Sequence, residues 1–314
     1  MTSEQLLPAL DGKNPLGFFA ALGLLRVLDD EAVRSGRSRP TLHYQIHGEL
    51  VPRLRTSLTF EAIISAVLED ASAQKDNPAL GLAYTTDGRR VATTDSAAIR
   101  DLKPTSSIAR ALLQECAHRD ARSHRLVASW FSEFVQDGSG VKSKPTALHF
   151  TAGQQAFLDM VDTLRTRIVA DDVREALIGP WLGQSELPSL SWDSSATRLY
   201  ALRARSPTKE KRGSIPAANW LAFVAMEFFP VVERAQSLLT TGVVGDWKKS
   251  SFYWPLWSVP ITASTVSSLL RMNIRSLTSS ERIAMGVTHV FRSEITRNDQ
   301  GGYGSFSPAE PHVA

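Results

Sequence analysis

A single cysteine, Cys116, stands in the 314 residues. One thiol excludes an internal disulfide framework and a multi-cysteine zinc module, and points to the cytoplasm, where disulfides are rare. Long uncharged apolar runs are missing too. The two most apolar stretches, residues 15–28 and 220–232, are interrupted by Arg26 and by Glu227 and Pro230. A membrane-spanning helix needs about 20 nearly uncharged residues, so both read as core elements and no membrane partner is expected. The first stretch also fails as a secretory leader: Glu4 and Asp11 precede it, and Arg26, Asp29 and Asp30 follow it. Internal repeats and low-complexity tracts are absent.

Signatures of catalysis are equally scarce. The sequence holds no G-x-x-x-x-G-K-[ST] phosphate loop, no H-E-x-x-H metal helix and no G-x-S-x-G nucleophile elbow. His118-Arg119-Asp120 copies three letters of a kinase catalytic loop but lacks the following Asn, a glycine-rich loop and D-F-G. His118, His124 and Asp120 could hold a metal; the simpler reading sets them on the wet face of a helix. Cys116 reads as a packing residue before a nucleophile, and Asp171-Asp172 as helix caps before a carboxylate pair. The expectation is a non-enzyme with no catalytic residues, no metal and no cofactor.

What is present is an ordinary folded composition, 43% hydrophobic and 21% charged, with 35 Lys+Arg against 32 Asp+Glu and a net charge of +3. A chain this long buries about three quarters of its unfolded surface without staples. Asn14-Pro15 opens a helix carrying Phe18, Phe19, Leu22, Leu25 and Leu28 at helical spacing, continuing to Ser35-Gly36. Residues 41–46 alternate like a strand, and residues 60–68 read as an amphipathic helix. A hairpin around Asp87-Gly88 is expected, and helical spacing returns over residues 108–135. Residues 136–145, with Gly138, Gly140 and Pro145, read as the link between a helix-rich half (1–140) and an α+β half (141–314). Thr151 and Gln154 match a capping box for the stripe Phe157, Val161, Leu164 and Ile168; Asp172 and Glu175 repeat it for a helix ending at Gly179-Pro180. Residues 261–272 and 280–285 read as short helices, 287–295 as a strand, and 298–308 as a turn-forming tail. Segregated helices and short mixed or antiparallel strands make the fold class α+β, as one large domain or two closely packed halves.

The positive charge is local. Between residues 196 and 214 lie Arg198, Arg203, Arg205, Lys209, Lys211 and Arg212 against one acid, Glu210, a net +5 that leaves −2 for the rest of the chain. Pro207, Gly213 and Pro216 mark an irregular loop able to lay guanidinium and ammonium groups along a phosphate backbone. Six of the seven tryptophans, Trp181, Trp192, Trp220, Trp247, Trp254 and Trp257, fall in the same stretch. Trp247-Lys248-Lys249, followed by Phe252-Tyr253-Trp254, sets cations beside rings on which bases can stack, although Trp220, Trp254 and Trp257 read first as core. In the tail, Arg292 and Arg297 precede Gly301, Gly302 and Gly304, and Tyr303 and Phe306 are expected to stay available to a ligand.

The opening Leu10-Asp11-Gly12-Lys13-Asn14-Pro15-Leu16-Gly17-Phe18-Phe19-Ala20-Ala21-Leu22-Gly23-Leu24-Leu25-Arg26-Val27-Leu28 resembles the start of proteins of type I-G (formerly I-U) CRISPR systems. His149-Phe150-Thr151-Ala152-Gly153-Gln154-Gln155, Tyr200-Ala201-Leu202-Arg203-Ala204, Trp220-Leu221-Ala222-Phe223, Trp247-Lys248, Trp254-Pro255-Leu256-Trp257 and Asp299-Gln300-Gly301-Gly302-Tyr303-Gly304 are similar to the family accompanying or extending the CRISPR helicase–nuclease there. The resemblance implies a non-catalytic component of an RNA-guided, DNA-targeting antiviral complex. Its partners would be crRNA and/or target DNA, other CRISPR effector subunits and the helicase–nuclease. Within that picture Arg198, Arg203, Arg205, Lys209, Lys211 and Arg212 hold phosphates, Trp247, Lys248 and Lys249 stack and pair beside them, and Arg292, Arg297 and Tyr303 close the groove. A protein–protein adaptor fits the same composition, since Trp and Arg also anchor protein interfaces.

Overall fold

The computed structural model describes residues 2–45, 47–80, 99–151, 156–196, 213–297 and 303–313. Helix α1 (Pro15–Ser35) starts as its sequence demands. The Asn14 side chain accepts the Leu16 N–H at 3.0 Å, Pro15 occupies the first turn, and Gly36 ends the helix at φ +67°. Leu16 through Leu28 are buried around the whole circumference, so α1 is a central helix rather than a surface one. Gly23 permits this. A Cβ there would lie 1.8 Å from the Leu221 carbonyl oxygen on helix α7 (Pro216–Val224), so the two backbones meet directly.

Four antiparallel assemblies accompany that helix pair among the described residues. Strands β1 (Ser3–Leu6), β2 (Thr41–Tyr44) and β3 (Pro52–Thr56) form a sheet in the order β1-β3-β2. Two hairpins follow, β4 (Phe131–Gln136) with β5 (Ser143–Pro145), and β6 (Val231–Arg234) with β7 (Ser237–Thr240). The largest sheet runs β11 (Gly304–Phe306), β10 (Val287–Arg297), β9 (Ser250–Trp257), β8 (Val243–Gly245), with β12 (Glu310–Pro311) also on β10. The remaining α-helices among the described residues are α2 (Phe60–Ala73), α3 (Ser106–Arg119), α4 (Ala121–Val127), α5 (Phe157–Arg167), α6 (Ala170–Ile178), α8 (Ala263–Leu270) and α9 (Ser279–Ala284). The protein is α+β. No helix among the described residues is long and apolar enough to cross a membrane.

One apolar cluster holds the elements together, from Leu7 and Phe18 through Trp130 and Phe157 to Trp220, Trp254 and Phe306. Trp254 donates its indole N–H to the Gly12 carbonyl at 2.8 Å and Trp257 to that of Leu42 at 2.7 Å, tying β9 to the N-terminal region. A buried ionic network crosses the same interior. Glu227 receives Arg122 at 2.9 Å and Arg125 at 3.0 Å, with Arg26 at 3.6 Å, while Arg122 also forks onto Asp70. Burial pushes the Glu227 carboxyl up, against the pull of those guanidiniums.

Several expected elements take another form. Helical spacing over residues 108–135 resolves into α3, a break at Asp120, α4 and then strand β4, because Asp120 leaves helical geometry (φ −159°) to cap Ser123. Residues 136–145, read as a link between halves, close the β4–β5 hairpin, and the core runs across it. The α5 stripe is buried as its spacing required, but the helix starts at Phe157 behind Ala156 instead of at a Thr151 cap. Helix α6 starts at Ala170 behind Val169, so Asp172 stands inside its first turn rather than at the cap expected, its carboxylate accepting the Val169 N–H at 2.9 Å. The tail pairs as β11 and β12 on β10. Gln154, Ile46 and the hairpin expected around Asp87-Gly88 lie outside the described residues.

Candidate nucleic-acid interface

Five of the seven tryptophans, Trp130, Trp192, Trp220, Trp254 and Trp257, are fully buried, and their density in the later half reflects α7 and β9 being central elements. None of the five can take a base. Trp181 is partly buried and donates its N–H to the Ala176 carbonyl at 3.1 Å. Phe252 and Trp254 also point inward, while Tyr253 faces out beneath the Arg275 guanidinium, 5.3 Å from its ring centroid. Phe306, expected to be available, is wholly buried against Phe150, centroids 4.9 Å apart, because β11 pairs in a register that turns it inward.

Trp247 differs. It sits half-buried on the turn between β8 and β9, with the Arg297 guanidinium 3.7 Å from its ring centroid and the Lys144 ammonium at 6.0 Å. Arg297 also lies over Phe150, at 5.3 Å, and donates to the Ala147 and His149 carbonyls at 2.6 and 3.0 Å. Burial lowers its pKa to about 10, still far above neutrality, so a permanent cation is clamped under the indole. The turn is fixed by Asp246, whose carboxylate accepts the Lys248 and Lys249 N–H groups at 3.1 and 3.0 Å. Both lysine side chains are exposed.

Strand β5 brings more cations to this place. Ser143 and Pro145 point into the protein, so Lys144 and, two residues back, Lys142 share the outer face. The end of β5 is held near β7 by Thr240, whose hydroxyl oxygen accepts the Ala147 N–H at 2.9 Å. Among the described residues none of Lys142, Lys144, Lys248 and Lys249 has a carboxylate within 4.0 Å. Sequence reading missed Lys142 and Lys144 because they stood in a presumed link. The Lys-Ser-Lys alternation, which suits a strand, was the available signal.

Behind the turn lies a polar cluster. His149 Nε2 meets Asp101 at 3.0 Å and the Thr151 hydroxyl at 2.7 Å, and Asp101 also binds Lys103 at 2.6 Å. A catalytic relay needs base and nucleophile on opposite ring nitrogens; here both partners share one, so the imidazole cannot pass a proton between them. Burial drives the His149 pKa down, against the pull of Asp101. The same burial pushes the Asp101 carboxyl up, but the His149 hydrogen bond and the Lys103 ammonium outweigh it and hold it below the usual range.

The other expected residues are dispersed. Arg292 and Arg297 stand five positions apart on β10 and therefore face opposite sides of the sheet. Arg292 binds Ser251 Oγ at 3.1 Å and Glu294 at 2.7 Å on the outer face. The Tyr303 hydroxyl meets Ser191 Oγ at 2.8 Å, which places the chain leading to Ala196 beside β11. Arg198, Arg203, Arg205, Lys209, Lys211 and Arg212 lie outside the described residues. Elsewhere His118 and His124 are exposed, Asp120 is an N-cap, and the buried Cys116 thiol is pushed up to about 12 by desolvation, far from a nucleophile's range.

No known protein family and no curated protein matches this chain.

Proposed function

We propose that this chain is a non-catalytic nucleic-acid-binding subunit or accessory of a type I CRISPR RNA-guided, DNA-targeting complex, working in the cytoplasm. The observation that supports it best is the set of four lysines, without acidic partners among the described residues, around the Arg297–Trp247 stack. Cations next to a held aromatic ring suit a polyanion whose bases are flat. The basic run from Arg198 to Arg212 adds to the same reading, and the type I-G resemblance supplies the biological setting. In such complexes base pairing reads most of the sequence, so a subunit can engage backbone and shape alone.

Charge reversal at Arg203, Arg205 and Lys211 should weaken oligonucleotide binding and flatten its salt dependence, by about 0.7–0.9 in log–log slope for each phosphate no longer neutralised. An unchanged slope would remove that run from the interface. Co-purification with co-expressed CRISPR proteins and crRNA, followed by nuclease treatment, tests the setting. A second reading, an adaptor that docks the helicase–nuclease, is favoured by one feature: Val232 and Leu239, cross-strand partners on β6 and β7, are 58% and 40% exposed. An apolar dock would survive nuclease and rising salt; a phosphate groove would not.

A further inference from the structure

We infer that Trp247, stacked on Arg297 and flanked by Lys142, Lys144, Lys248 and Lys249, is a site for single-stranded nucleic acid, taking an unpaired base on the indole and phosphates on the ammonium groups. This rests on the nucleic-acid reading above and adds the strandedness of the ligand.

Three observations carry it. First, Trp247 is held rather than floating: Arg297, itself fixed by two backbone carbonyls and the Phe150 ring, lies 3.7 Å from the indole centroid. A pre-positioned ring loses little freedom when a base adds to the stack. Second, the turn that presents it admits few alternatives. Gly245 sits at φ +106°, and a Cβ there would come within 2.1 Å of the Lys249 carbonyl oxygen. Third, shielding Arg297 would explain the indole but not the lysines. Lys142 and Lys144 project from one strand face, Lys248 and Lys249 from the adjoining turn, and among the described residues none of the four ammonium groups has a carboxylate within 4.0 Å, Asp246 being turned to the backbone of the turn. A duplex keeps its bases stacked inside and would meet only the lysines, leaving the ring unused. Unpaired bases use both.

The test measures binding of labelled oligo-dT, oligo-U and an oligo-dT/oligo-dA duplex to the full chain by fluorescence anisotropy across a salt series. Single strands should bind more tightly than duplex. Trp247→Ala should cost single-strand affinity about 5- to 150-fold, the usual worth of one stacked base, with duplex affinity and salt slope unmoved. Trp247→Phe should restore most of the loss, which also guards against a variant that has merely lost the turn. Lys142→Gln with Lys144→Gln should reduce the salt slope for all three probes. Equal loss on single strand and duplex, or competition by poly-glutamate as effective as by oligo-dT, would overturn the stacking site while leaving nucleic-acid binding intact. Failure of the wild-type chain to bind any of the three probes would instead overturn the reading on which it stands.

Discussion

At the scale of single residues, the strongest constraints are buried charges whose partners come from distant positions. Glu227 is wholly enclosed and meets guanidiniums from α1 and α4. Glu227→Gln keeps the shape but takes one buried carboxylate from three guanidiniums, leaving Asp70 and Asp30 on Arg122, Asp30 on Arg125 and Asp29 on Arg26. It should destabilise the protein by about 3–5 kcal/mol, read as a lower midpoint in urea. His149 gives a pH signature. Its folded pKa lies below the ordinary value of about 6.5, so above that pH both states are neutral and nothing is lost. As pH falls through 6.5 the unfolded chain takes up a proton that the folded ring refuses, and stability declines until the folded pKa is passed. Stability of His149→Gln should therefore vary less steeply with pH below 6.5 than that of the wild type; an identical slope in denaturant midpoints would disprove the assignment. Neither role was legible in the sequence, because Glu227 stood as an interruption in an apolar run and His149 as one letter of a resemblance.

At the scale of elements, the parts that could be read are those whose local signals agree with their surroundings. Asn14, Pro15 and Gly36 mark both ends of α1, and the α5 stripe Phe157, Val161, Leu164 and Ile168 is buried as its period required. Residues 106–130 contain no Gly or Pro, and their apolar spacing runs on, so only Asp120 signals the break between α3 and α4. Asp120→Ala should cost about 0.5–2 kcal/mol, with Asp120→Asn recovering most of it, measured by thermal unfolding. The tail misled for a different reason. Its glycines suggested an exposed turn, yet Gly304 is there because a Cβ would fall 2.4 Å from the Phe150 ring. Tertiary packing decided that position, and local sequence could not show it. The same holds for the candidate site: Trp247, Lys248 and Lys249 were visible as a string, but Lys142, Lys144 and the Arg297 clamp come together only through the β5 and β10 placements.

At the scale of the whole molecule, the division at residues 136–145 does not separate two cores, since one apolar cluster draws on both sides of it. A fragment ending at residue 140 would expose the face of α1 that α7 and β9 cover. We expect it to be largely unfolded by circular dichroism and rapidly proteolysed, and a cooperative melt from that fragment would contradict a shared core. Arg292 and Arg297 lie on opposite sides of one strand, so of the two only Arg297 belongs to the proposed site beside Trp247.

The direct meeting of Gly23 with Leu221, and of Gly12 with Trp254, bears on how the chain is born. The longest described helix, α1, leaves the ribosome roughly 200 residues ahead of the segments that cover it. At about 5–20 residues per second, that leaves α1 uncovered for on the order of ten seconds or more. During that interval the uncovered apolar surface is open to aggregation, and recombinant yield should improve when holdases are co-expressed, measured as the soluble fraction.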